Sequence, residues 1–221
     1  MKVLWLSLCA LAIGATHADF VVAPNDRASQ AGNTFTLGGF ATSGSHQHVY
    51  GARNFAGPVL IHGIAFRADE GSGSSYDVVI PRVRIRTSTY SGTFAAFNTS
   101  SYDGNKGNDD TTVFDAAVHW TGTDLPGGAP NPFNLSLAFT EPFVYDPSKG
   151  SLLISYDAFG PFSGGVVVDS HGHGDNTIGW FGGKEFANLV MQFDVTPIPE
   201  PATLLLIGVG VTAILRKEIQ L

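Results

Sequence analysis

Arg82-Val83-Arg84-Ile85-Arg86 decides the fold class. Basic and apolar residues alternate without interruption, and a period of two is the signature of an extended strand with one face buried. Pro81 stands just before it and has no backbone donor, so this strand is expected at a sheet edge or with a bulge. The same alternation recurs. Phe35 and Leu37 alternate with Thr34 and Thr36. Ile64 and Phe66 follow Ile61-His62-Gly63. Leu135, Leu137 and Phe139 alternate with Asn134, Ser136 and Ala138. Leu189, Met191, Phe193 and Val195 alternate with Val190, Gln192 and Asp194 and read as the last strand. The denser runs Leu152-Leu153-Ile154-Ser155-Tyr156 and Val166-Val167-Val168 predict central strands. Clusters of Gly, Pro, Asn, Asp and Ser separate these segments. Together they predict an all-β chain folded as a single β-sandwich or jelly-roll-like domain.

Composition agrees. Gly is abundant, charged residues make up only 14%, and helix-forming runs are nearly absent, a profile of exported all-β domains. The formal charge of −7 argues against a nucleic-acid partner, which needs clustered Lys and Arg. Cys9 is the sole cysteine, so the body offers no disulfide, thiolate ligand or thiol nucleophile. No fixed-period repeat is visible, and residues 19–196 suit one domain.

Both ends read as targeting segments. Lys2, the apolar Val3–Ile13 and the small residues of Thr16-His17-Ala18 predict a signal peptide over residues 1–18, cut by signal peptidase near Asp19. A lipoprotein reading through Cys9 fails, because the apolar stretch before it is too short and Leu8 is bulky. At the other end, residues 197–221 combine three parts. Pro199-Glu200-Pro201 is an extended spacer, since each proline fixes its own φ and biases the residue before it. Ala202 to Leu215 is uncharged and apolar, and Arg216-Lys217 follows as a basic stop. The apolar run is shorter than the roughly 20 residues of a full span, so by length alone it also suits a buried core helix. The basic pair favours a membrane helix with its last residues on the cytoplasmic side, where Arg216 and Lys217 snorkel to extend a short span.

The order and spacing of these parts resemble the PEP-CTERM sorting tail of bacterial proteins. The resemblance implies a transient inner-membrane anchor and cleavage by an exosortase near Pro199, Glu200 and Pro201. It also implies delivery to the cell surface or extracellular matrix. In that family such sorting accompanies exopolysaccharide and biofilm production. The body, through His48-Val49-Tyr50-Gly51, Ile64-Ala65-Phe66-Arg67, Asn108–Phe114 and Pro142–Pro147, is similar to domains found in front of such tails. This second resemblance implies a β-sandwich of unassigned function.

Three groups of residues are candidate sites. Asp103-Gly104-Asn105-Lys106-Gly107-Asn108-Asp109-Asp110 supplies oxygens for a hard cation, so Asp103, Asn105, Asp109 and Asp110 are candidate calcium ligands. The competing reading is a polar surface turn, because Lys106 sits among them and the order is not that of an EF-hand. His46-Gln47-His48 and His171-Gly172-His173, with Asp175, place imidazoles two apart as zinc would need on a strand. The alternative is solvated loop histidines. Trp120 and Trp180-Phe181 are candidate platforms for sugar rings, against the alternative that they fill the core. Arg82, Arg84 and Arg86 offer a face to an anionic polysaccharide, or simply to water.

Gly-x-Ser-x-Gly, His-Glu-x-x-His and phosphate-loop motifs are absent from the sequence. The expectation is therefore a non-enzymatic exported protein, structural or adhesive and in contact with exopolysaccharide. A calcium-assisted carbohydrate-binding module is the alternative, and a hydrolase using dispersed Asp and Glu is third.

Overall fold

The computed structural model describes residues 19–32, 34–36, 44–69, 75–98, 100–123, 130–172, 177–181 and 184–199. The signal segment 1–18, the apolar run after Pro201, Glu200, Pro201, Arg216, Lys217, His173 and Asp175 lie outside them. Among the described residues there is no α-helix, and no helix long and apolar enough to cross a membrane.

Among the described residues, thirteen strands follow one another: β1 (Asp19–Ala23), β2 (Thr34–Thr36), β3 (Gly44–Tyr50), β4 (Val59–Arg67), β5 (Ser75–Tyr90), β6 (Thr111–Thr123), β7 (Phe133–Tyr145), β8 (Ser151–Phe159), β9 (Val168–His171), β10 (Thr177–Phe181), β11 (Lys184–Phe186), β12 (Asn188–Leu189) and β13 (Met191–Pro197). They form a four-stranded sheet in the order β1-β13-β4-β7 and a six-stranded sheet in the order β11-β10-β3-β8-β5-β6. A small third sheet has the order β12-β9-β2. All pairings are antiparallel.

The two large sheets face each other as a sandwich. Ile61, Ile64, Phe66, Leu135, Leu137, Phe193 and Val195 from the four-stranded sheet meet Tyr50, Val83, Ile85, Ile154 and Tyr156 from the six-stranded one in a single apolar core. Alternation does this: Val83 and Ile85 are fully buried while Arg82, Arg84 and Arg86 point out of the same strand. Pro81 marks a bulge, since the β5–β6 register slips between Ile80 and Val83.

One expectation is corrected. Leu189 to Val195 is not one strand, although its alternation is continuous. The chain breaks at Val190, whose N–H donates to the Asp169 carbonyl, so β12 joins the third sheet and β13 the four-stranded sheet. Similarly, Val166 and Val167 precede β9 rather than forming part of it.

The third sheet is tied on by a buried ion pair. Arg67, at the end of β4, donates through Nε to Asp169 Oδ2 at 2.7 Å, and the two side chains are 1% and 2% exposed. Arg67 also donates to the carbonyls of Arg27 and Gln30, and the Gly32 N–H donates to Asp169 Oδ1. Burial holds the Asp169 carboxyl above its ordinary pKa, against the opposing pull of Arg67.

Candidate functional site

The acidic loop belongs to a cap. Residues between β5 and β6 cover the outer face of the six-stranded sheet, where Val49, Leu153, Tyr90 and Phe97 form a second apolar cluster flanked by Phe94 and Tyr102. Asn105 is the cap's internal peg, 3% exposed. Its Oδ1 accepts from the Asn98 N–H, and its Nδ2 donates to Gln47 Oε1 and to the carbonyls of Asn98 and Ser101. Gln47 in turn donates to the Tyr102 carbonyl and to Ser155 Oγ. Tyr102 donates its hydroxyl to Asp157 at 2.9 Å, as does Ser45 at 2.6 Å.

The candidate calcium ligands are committed elsewhere. Asp109 accepts from the Thr89 N–H and hydroxyl. Asp103 pairs with Lys106, whose hydrogen bond is the main reason its carboxyl lies below the ordinary range. Asp110 faces Arg86 at 3.6 Å, and burial pushes its carboxyl up. Among the described residues, no three His, Cys, Asp or Glu side chains are grouped to hold a metal. The loop is thus part of the cap, with Asp103, Asp109 and Asp110 facing Lys106, Thr89 and Arg86.

His46 and His48 share a face, as their spacing predicts, but that face is the sandwich interior. They pair in register with Tyr156 and Ile154, whose side chains lie in the core. Both are buried, 3% and 1% exposed, with their rings 6.4 Å apart. His48 Nδ1 lies against Asn188 Oδ1, and Asn188 pairs across the third sheet with His171, so the fold brings that strand near the first histidine pair. Burial lowers the pKa of His46 to about 4 and of His48 to about 3, so both are neutral at pH 7.

Trp120 is a core residue. It is 7% exposed, packs edge-on to Phe66, and its indole N–H donates to the Ser136 carbonyl. It presents no open ring to a sugar, because β6 turns this position inward. Trp180 lies on β10, paired with Gln47 of β3 and Glu185 of β11. On the arginine strand, Arg82 and Arg84 share Asp115, with Arg82 bidentate at 2.6 and 2.8 Å and Arg84 at 3.0 Å. Both guanidiniums lie over the Phe159 ring. The Arg82 hydrogen bond holds the Asp115 carboxyl far below its ordinary range. One carboxylate thus offsets half of this exposed positive charge.

The sorting tail leaves from the middle of the four-stranded sheet. Pro197, the last residue of β13, is in register with Val59, and the Ile198 N–H donates to the Pro58 carbonyl at 2.9 Å. Pro199 is exposed. A search of curated proteins finds no match to the chain. The family model for the PEP-CTERM protein-sorting motif matches residues 197–217. That motif implies export, membrane-anchored sorting and processing by an exosortase, and the chain carries it at its C-terminal end.

Proposed function

We propose that the processed protein is a non-catalytic component of the cell surface or extracellular matrix, structural or adhesive, in contact with exopolysaccharide. The observation that carries this is the direct junction of the sorting motif, residues 197–217, to the last strand of a rigid sandwich. Such a body is delivered as one preformed unit, with signal peptidase acting at the front and exosortase at the back. The acidic surface suits a soluble extracellular module.

The test is fractionation of the host with and without its exosortase gene. In the wild type, the protein is expected in the surface or matrix fraction, lacking its tail. Without the enzyme, it is expected in the membrane fraction at full length. Equal matrix yields from both strains would overturn the sorting role. Deleting the gene for this protein is expected to loosen matrix cohesion; an unchanged matrix would remove the structural role.

A second reading, a module with a defined sugar site, is favoured by a trough on the outer face of the four-stranded sheet.

A further inference from the structure

The outward positions of β4 and of the neighbouring edge strand β7 are small. Gly63 pairs with Ala138, and Ala65 with Ser136. The inward neighbours Ile64 and Leu137 fill the core, so the four small residues make a low floor on the other face. The strand is also distorted here. The register of β4 slips at His62 against both β13 and β7. Bulges of this kind bend a strand and re-aim its side chains. The result is a cavity of about 280 Å³ lined by Phe20, Gln192, Asp194 and this floor.

Its walls have a definite chemistry. Phe20 of β1 sits opposite Asp194 of β13 in the ladder and is 63% exposed, a large ring held in water. Asp194 is half-buried, and its Oδ1 is covered with no hydrogen-bond partner among the described residues. Buried polar atoms are normally paired, so the site gains from an incoming donor. No Lys or Arg lines the cavity among the described residues, and His62 Nε2 is already bonded to the Thr196 hydroxyl at 2.9 Å.

We propose that this trough is a subsite for one uncharged hexose unit of a polysaccharide. A hexose offers an apolar C–H face and a rim of hydroxyl donors. Phe20 stacks on the face. Asp194 accepts from the hydroxyls, and Gln192 both gives and accepts. The small floor lets the ring lie close to the backbone. The volume is near the lower end for small-molecule sites, which suits one ring. The Asp194 charge works against uronic acids by like-charge repulsion. The inference rests on the reading that the body contacts polysaccharide, but it names the face and the sugar class.

The test uses the full chain purified in detergent. Cellohexaose, laminarihexaose and maltohexaose serve as neutral probes, alginate as an acidic one, and the host exopolysaccharide is followed by co-sedimentation. Binding of at least one neutral hexaose is expected. Phe20→Ala and Asp194→Ala are each expected to weaken it at least tenfold, and to weaken exopolysaccharide binding with it. Phe20 is exposed, so its removal leaves the fold intact and decides the matter if Asp194→Ala fails to fold. If exopolysaccharide binds and Phe20→Ala changes nothing, the trough is wrong and the polysaccharide reading stands. Tighter binding of alginate than of any neutral hexaose overturns the sugar class. If nothing binds the wild type, the polysaccharide reading falls and the subsite with it.

Discussion

The backbone N–H of Ile198 donates to the carbonyl of Pro58 at 2.9 Å, so the folded body holds the first two residues of the sorting motif. A membrane protease needs free extended backbone, and residues 197 and 198 are already committed to the sheet. The cut is therefore expected after Pro199 or slightly further along. Mass spectrometry of the surface form should find a C-terminus at Pro199 or slightly beyond. A terminus at Val195 or earlier would mean that β13 peels away before cleavage.

Arg67 and Asp169 hold the third sheet to the sandwich in near-complete burial. Asp169→Asn leaves the guanidinium without its counter-charge, and breaking such a pair costs roughly 3–5 kcal/mol. Urea unfolding should show the midpoint falling accordingly. Replacing both residues by apolar ones of similar volume should recover much of the loss; a double variant as weak as the single would argue that the carbonyl bonds from Arg67 matter more than the charge.

The buried histidines make stability depend on acid. Their pKa values in the folded protein, about 4 for His46 and about 3 for His48, lie below the ordinary 6.5. The unfolded chain therefore binds protons first, and stability that is complete above pH 6.5 declines as the pH falls towards those values. Each histidine contributes a loss of about 1.4 kcal/mol per pH unit inside the window. Thermal melts at pH 7, 6 and 5 should show a steady decline, and His46→Phe should make it shallower. A melting temperature indifferent to pH over this range would contradict the placement of both rings.

Asn105 joins the cap to β3 through Gln47. Asn105→Ala strands buried partners on both sides and should cost about 2–3 kcal/mol. Because Asp103, Asp109 and Asp110 already face Lys106, Thr89 and Arg86, millimolar calcium should leave the melting temperature unchanged. A rise of several degrees with calcium, reversed by chelator, would restore the loop as a cation site.

Gly63 sits against the backbone of β7. A Cβ there would lie 2.8 Å from the Leu137 carbonyl oxygen and 3.3 Å from Ala138 Cα. Both are backbone atoms that yield poorly. Gly63→Ala should destabilise by about 1–3 kcal/mol through overpacking, seen in calorimetry. A neutral result would show that the bulge at His62 relaxes to make room.

Some of this was legible in the sequence. The alternation at Arg82–Arg86 showed a strand because side-chain period is a local property, and Pro81 pointed to an edge or a bulge, of which the structure has the bulge. The sorting tail was legible because its parts are contiguous. What the sequence left open depends on neighbours. The spacing of His46 and His48 puts them on one face, but only their partners Tyr156 and Ile154 decide that the face is the interior. Asn105 looks like any loop amide until Gln47 comes beneath it. The trough could not be read at all, because Phe20, Gly63, Ser136 and Asp194 come from four strands far apart in the chain. The break at Val190 was hidden by an alternation that runs straight through it.

The position of β13 has a mechanical consequence. It lies between β1 and β4 and runs antiparallel to both. Ladder hydrogen bonds are perpendicular to the strands, so a pull on the chain beyond Pro199 loads both ladders in shear. Their bonds must then fail together instead of unzipping singly. While the tail holds the membrane, drag on the body is carried by a strand clamped on both sides, and the tether is expected to give way before the grip does.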